Sequence, residues 1–262
     1  MYLGIGKQRA YVYTAGHAIE PALPTAVFVH GGEHDHSVWA LQSRYFAYHR
    51  HNALAPDLPG HGRSQGPALG SIADLADWIV SLLDAAGIQQ AAVVGHSMGS
   101  LVTLEAAARQ PSRVTKIALL GTSAPMPVAE PLLSAAQADN HAALDMINVW
   151  SYSARAQLGG NTAPGLWMLG MNRRLMERQA PGVLYADFKA CNDYTHGVEA
   201  AARVQCPTLV VVGSCDRMTP PRVTHELVKR LPHAQTVTLE GSGHALMAEQ
   251  PDAVLDALIG FL

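Results

Sequence analysis

Short apolar runs that stop at glycine, proline or aspartate, separated by stretches of helical periodicity, constrain this chain most. Residues 25–30 run into Gly31-Gly32, residues 52–56 into Asp57 and residues 91–94 into Gly95. Residues 115–120, 208–212 and 235–239 end at or near Gly121, Gly213 and Gly241. Runs that are apolar at nearly every position suit strands of a sheet covered on both faces. Between them, residues 72–86 place Leu75, Ile79, Leu82 and Leu83 on one helical face, with Ser71 and Asp74 near the start. Residues 98–109, 222–231 and 253–262 read as further helices. This alternation predicts right-handed crossovers and a mostly parallel sheet flanked by helices, the α/β class. Residues 1–14 are expected to form an antiparallel hairpin at the sheet edge.

One stretch interrupts the rhythm. Residues 125–193 contain no convincing strand, but carry Trp150, Trp167, Met168 and Met171 in helix-compatible segments broken by Pro127, Pro131, Pro164 and Pro181. They are expected to form a helical lid inserted into a core made of residues 1–124 and 194–262. A chain of 262 residues can bury a core of this kind without disulfides or a structural metal. The four lid side chains just named are candidates for the substrate pocket.

Composition excludes several function classes. A formal net charge of −3 does not suit a nucleic-acid partner. The apolar runs are strand-sized and too short to enter a bilayer as spanning helices, so no membrane insertion is expected. The three cysteines form no CxxC pair, which argues against a disulfide framework or a zinc knuckle. The first residues lack a basic segment followed by an apolar stretch, so the expected location is cytoplasmic. Glu33-His34-Asp35-His36 lacks the order of a metallohydrolase cluster, and Gly4-Ile-Gly6 lacks a dinucleotide fingerprint. No metal and no cofactor are expected, and the oligomeric state is open.

Gly95-His96-Ser97-Met98-Gly99 fits G-x-S-x-G between a strand and a helix. That context makes a sharp turn which exposes a serine hydroxyl at a helix N-terminus, where unpaired N–H groups favour negative charge. Ser97 is the candidate nucleophile, and the Met98 N–H is the first candidate oxyanion donor. A serine needs a base. Among thirteen histidines, His244 in Gly241-Ser242-Gly243-His244 follows the last strand run, as Asp216 follows the run at 208–212. Both leave strand C-terminal ends, where open α/β sheets place their sites, in the chain order Ser, Asp, His. Glu240, near His244, is the alternative acid. The second oxyanion donor is expected from the loop after residues 25–30, at the Gly32 N–H or that of neighbouring Glu33.

His30-Gly31-Gly32, Asp57-Leu58-Pro59-Gly60-His61-Gly62-Arg63-Ser64, Gly95 to Gly99, Gly213 to Asp216 and Gly243-His244 together resemble the α/β-hydrolase superfamily, in its capped serine hydrolase branch. The resemblance spans nearly the whole chain. It implies an eight-stranded sheet with a helical lid after the sixth strand, and carries nucleophile, acid and base onto Ser97, Asp216 and His244. Residues 57–64 look like a structural loop.

The leading functional expectation is hydrolysis of a small, mainly hydrophobic acyl or aryl ester through an acyl-enzyme, as in a carboxylesterase. Carbon–carbon bond hydrolysis or enol-lactone opening is the enzymatic alternative. It needs a carboxylate-binding cation, for which Arg155, Arg173, Arg174 and Arg178 are available. A non-catalytic small-molecule receptor on the same fold is the alternative of another class. In each reading the partner is a small molecule.

Overall fold

The computed structural model describes residues 1–160 and 165–262. Among them, eight strands form one sheet in the order β1-β2-β4-β3-β5-β6-β7-β8. The strands are β1 (Tyr2–Ile5), β2 (Gln8–Tyr13), β3 (Thr25–Val29) and β4 (Asn52–Pro56). They continue with β5 (Ala91–His96), β6 (Val114–Leu120), β7 (Thr208–Gly213) and β8 (Ala234–Leu239). The first two pair antiparallel as the expected edge hairpin, β2 runs antiparallel to β4, and the remaining neighbours are parallel.

Period-2 side-chain alternation divides the central strands between two cores. Val27, Val29, Ile117, Leu119, Val210 and Val212 face one side. Phe28, Ala118, Leu120, Leu209 and Val211 face the other. Every residue of β3, β4 and β7 is buried, whereas the edge strand β8 leaves several positions open.

A 3-10 turn, His36–Trp39, leads into α1 (Ala40–Tyr48), which packs over the second core. Helix α2 (Ile72–Ala85) is capped by Ser71, whose side chain accepts the Asp74 N–H. Its apolar stripe packs in the first core beside α3 (Met98–Arg109).

Between β6 and β7 lie α4 (Glu130–Gln137), α5 (Ala142–Ser151), α6 (Ala154–Gln157), α7 (Met168–Met176), α8 (Val183–Asp193) and α9 (Gly197–Arg203). Leu132, Ala136, Leu144, Ile147, Met176 and Leu184 build a small core of their own. Helix α9 instead sends Ala200 and Ala201 into the first sheet core. Pro131, expected as a helix breaker, lies in the first turn of α4, where its missing N–H costs nothing. The same logic starts α10 (Pro221–Val228) and α12 (Pro251–Ile259), which follow β7 and the short α11 (Leu246–Glu249). The last helix therefore begins before residue 253. Among the described residues, no helix is long and apolar enough to cross a membrane.

Candidate active site

Strand β5 passes into α3 through Ser97, whose φ of +52° is in the region L-residues avoid. The flanking glycines are demanded by contact. A Cβ on Gly95 would lie 2.1 Å from the Gly99 carbonyl oxygen, and one on Gly99 would lie 2.4 Å from that of Val29. Although Ser97 heads the helix, its side chain makes no capping hydrogen bond. The hydroxyl is thus not spent on the helix it begins.

Asp216 and His244 arrive from the loops after β7 and β8. His244 Nδ1 lies 2.8 Å from Asp216 Oδ2. The carboxylate also accepts the N–H groups of Met218 and Thr219, each at 2.8 Å, and the Thr219 hydroxyl at 2.7 Å. Burial raises the Asp216 pKa, but the positive charge available to His244 and these hydrogen bonds outweigh it, and the net shift is downward. The exposed Glu240 takes no part in this pair.

The inserted region holds the His244 loop. The Ser151 carbonyl, at the end of α5, accepts the His244 N–H at 2.7 Å and the Ala245 N–H at 3.0 Å. Glu249 on α11 accepts the Gly243 N–H at 3.0 Å and the Ser153 hydroxyl at 2.5 Å. On the nucleophile side, His96 Nε2 donates to the His244 carbonyl at 2.9 Å, and the two rings lie 4.8 Å apart. Burial lowers the His96 pKa, which keeps that ring neutral. Asp216, His244 and the Ser97 turn are therefore brought together. Among the described residues, no hydrogen bond joins the Ser97 hydroxyl to the imidazole, a contact that commonly tightens only with substrate bound.

The loop after β3 approaches the same point. A Cβ on Gly31 would stand 3.2 Å from the Ser97 Cβ. Glu33 donates its N–H to Asp187 Oδ2 on α8 at 2.8 Å, so that N–H is engaged. Among the described residues, the N–H groups of Gly32 and Met98 have no hydrogen-bond partner. His30 is structural, with Nδ1 on the Gly31 carbonyl and Nε2 accepting the Leu58 N–H.

Residues 57–64 do more than the sequence revealed. His61 Nε2 lies 2.8 Å from Asp187 Oδ2, joining that loop to α8. Burial alone would lower the His61 pKa, but the Asp187 charge and hydrogen bond push it up to about 9. Glu33 beside them is pushed up to about 8, first by burial and then by the Asp187 charge. Asp35, His36 and Asp57 bring three ligand-type atoms within 4.8 Å of one another. Their oxygens are already committed: Asp35 to Ser37 and Arg178, Asp57 to His36 and the Arg63 N–H.

Beside His244 opens a cavity of about 770 Å³. Trp167, Met168 and Met171 line it, together with Val38, Leu41, Leu175 and Met247. Ser97 is not in its wall, although His96 and His244 are. Trp150 is placed elsewhere, against the small helical core beside Met146 and Met218. His34, from the Glu33–His36 cluster, also lines the cavity, as do Asn172 and Tyr152, which have no distinguishing local pattern. Arg174 and Arg178 reach its wall, but Arg174 is paired with Glu177 and Arg178 with Asp35. Arg173 is held by Asp145 and Glu177, and the exposed Arg155 lines a separate depression.

A family model described as "Alpha/beta hydrolase family" matches residues 26–257. The chain belongs to that family. This α/β hydrolase is 30% identical over 253 residues to a 2-hydroxy-6-oxononadienedioate/2-hydroxy-6-oxononatrienedioate hydrolase of Paraburkholderia phymatum, covering 91% of this chain and 86% of that one. It is 23% identical over 242 residues to the (E)-2-((N-methylformamido)methylene)succinate hydrolase of Acinetobacter baylyi, covering 90% and 89%. Its fold is similar to that of the enol-lactonase from Burkholderia xenovorans, with a TM-score of 0.86, 23% identity, and coverage of 100% and 99%. The esterase from Exiguobacterium antarcticum superposes with a TM-score of 0.85 at 17% identity, covering 99% and 98%. At such identities the α/β hydrolase shares a fold with these structures, while its own side chains carry the chemistry.

Proposed function

We propose that this α/β hydrolase cleaves an ester of a small, mainly hydrophobic acyl or aryl group, in the manner of a carboxylesterase, through an acyl-enzyme on Ser97. The observation that carries the reading is the 2.8 Å bond between His244 Nδ1 and Asp216, beside the unspent hydroxyl of a strained strand-to-helix turn. Asp216 keeps the proton on Nδ1, so Nε2 is the basic atom. His244 takes the Ser97 proton as the oxygen attacks the acyl carbon. The free N–H groups of Gly32 and Met98 receive the oxyanion. The imidazolium then protonates the departing alcohol, and the same base activates water to release the acid.

The apolar wall of the cavity supports a hydrophobic substrate portion. Residues 125–193 act in this reading as a lid that roofs the site, on the core of residues 1–124 and 194–262. Carbon–carbon or enol-lactone substrates bearing a free carboxylate are less well served, since both arginines at the wall are paired with acids. Turnover also separates this reading from a binding protein. A fluorophosphonate should label Ser97 alone, and a panel of chromogenic esters should be hydrolysed. Labelling at another residue, or binding without turnover across esters and vinylogous diketones, would overturn the proposal.

A further inference from the structure

A relay of side-chain amides ends in the cavity at His34. Asn148 on α5 donates through Nδ2 to the backbone carbonyl of Leu169 at 3.2 Å. A carbonyl can only accept, so the amide orientation of Asn148 is determined and Oδ1 turns to the relay. That oxygen accepts from Asn172 Nδ2 at 2.9 Å, which leaves Asn172 Oδ1 facing His34 Nε2 at 2.8 Å. Nε2 must therefore carry the ring proton. Burial lowers the His34 pKa, so the ring is neutral near pH 7. In a neutral imidazole protonated at Nε2, Nδ1 is a bare acceptor.

That acceptor is available. His34 lines the cavity, and among the described residues its Nδ1 has no hydrogen-bond partner. The nitrogen is not sealed in the interior either: the buried side-chain atoms lacking partners lie on other residues. His34 is two residues beyond Gly32 in the oxyanion loop, and close enough to His244 to feel its charge. An oriented acceptor thus stands near the reacting centre in a mainly apolar chamber.

We infer that His34 Nδ1 is a substrate-recognition acceptor, and that the preferred acyl compounds carry a hydroxyl or N–H donor near the scissile carbonyl. The inference rests on the proposed hydrolysis at Ser97 and narrows its substrate class. A plain hydrocarbon ester would cover Nδ1 without replacing its water, and a buried acceptor left unpaired is penalised. The relay keeps the ring from turning its N–H toward the cavity, so an acceptor on the substrate, such as a methoxy oxygen, gains nothing there.

The test compares kcat/KM for methyl butyrate with its 2-hydroxy, 3-hydroxy and 3-methoxy derivatives and with methyl N-acetylglycinate. Wild type should prefer at least one donor-bearing ester over butyrate by tenfold or more, and should not prefer the methoxy ester. His34→Phe should bring that ratio close to one, and Asn172→Leu, which keeps the ring but cuts the relay, should lower it. Nitrogen-15 shifts of His34 should report the Nε2–H tautomer. Ratios unchanged by both variants, or an Nδ1–H tautomer, would sink the inference. Butyrate turnover with Ser97 labelled and no donor preference would overturn this inference alone. No ester turnover with Ser97 unlabelled would overturn the hydrolase reading beneath it.

Discussion

Around His244 the chain is held by Asp216 on the imidazole, by the Ser151 carbonyl on its backbone N–H and by Glu249 on Gly243 just before it. At the cavity rim the opposite holds. Leu41, Trp167 and Met171 are apolar and exposed, Trp167 by 74%. The contrast fits what the proposed reaction would ask of each region. The proton transfer and oxyanion binding proposed for the His244 side require atoms placed to within about 0.5 Å, which buried hydrogen bonds suit. A surface that reads the shape of an apolar group needs area and adaptability, which methionine and an exposed indole supply. The same inserted region contributes to both, since Ser151 braces the His244 loop and Asp187 the loop after β3 while α7 lines the cavity.

The largest effect expected from this contrast is at the nucleophile. Ser97→Ala should lower kcat by roughly 10⁶ while the melting temperature is nearly unchanged, because the hydroxyl supports neither a cap nor the core. Residual kcat within tenfold of wild type would break the assignment. Next is the imidazole's support. Asp216→Asn should keep the pocket's shape but favour the wrong tautomer, with a loss of about 10⁴ in kcat measured on one ester across pH 6–9. A nearly silent Asp216→Asn would move the acid elsewhere.

The two tryptophans sharpen the rim side of the comparison. Trp167→Ala should change the preferred acyl-chain length severalfold with little effect on melting temperature, because the side chain is exposed on the cavity wall. Trp150→Ala should do the reverse. It packs on the small helical core, so it should lower stability by less than the roughly 3–5 kcal/mol of a fully buried tryptophan, with the chain-length profile unchanged. Chain-length profiles and thermal melts on both variants decide the matter, and an exchanged pattern would contradict the placement.

The smallest effect concerns the bracing network. Glu33 rises from its ordinary 4.5 to about 8, and His61 from 6.5 to about 9. Both bind protons more tightly when folded than when unfolded. Stability should therefore fall as pH rises, from about 4.5 to about 8 through Glu33 and from about 6.5 to about 9 through His61. Glu33→Gln removes the first contribution, so its melting curve should climb relative to wild type between pH 5 and pH 8. Parallel curves across that range would show that Glu33 is not held neutral.

Much of the architecture was legible in local patterns. Nearly continuous apolar runs and glycine stops locate the parallel strands, and Gly95, Ser97 and Gly99 announce a turn whose need for glycine is short-range. The Asp216–His244 pair could be anticipated because both residues leave adjacent parallel strands at the same edge. The last helix, expected from residue 253, starts at Pro251, which is a first-turn residue. Trp150 and Trp167 looked alike along the chain, yet one packs in a helical core and the other opens on the cavity.

By itself the sequence determined the strand-helix alternation, the strained serine turn and the order of the three candidate catalytic side chains, since each depends on backbone geometry over a few residues. Tertiary structure alone decided that Asp187 would meet His61 and the Glu33 N–H. It alone decided that the two arginines at the cavity wall, Arg174 and Arg178, would be paired, and that Asn148 and Asn172 would orient His34. These partners are far apart in sequence and come from elements with no shared periodicity. Their hydrogen bonds depend on how the inserted helices pack against the sheet edge, a geometry that no local spacing encodes.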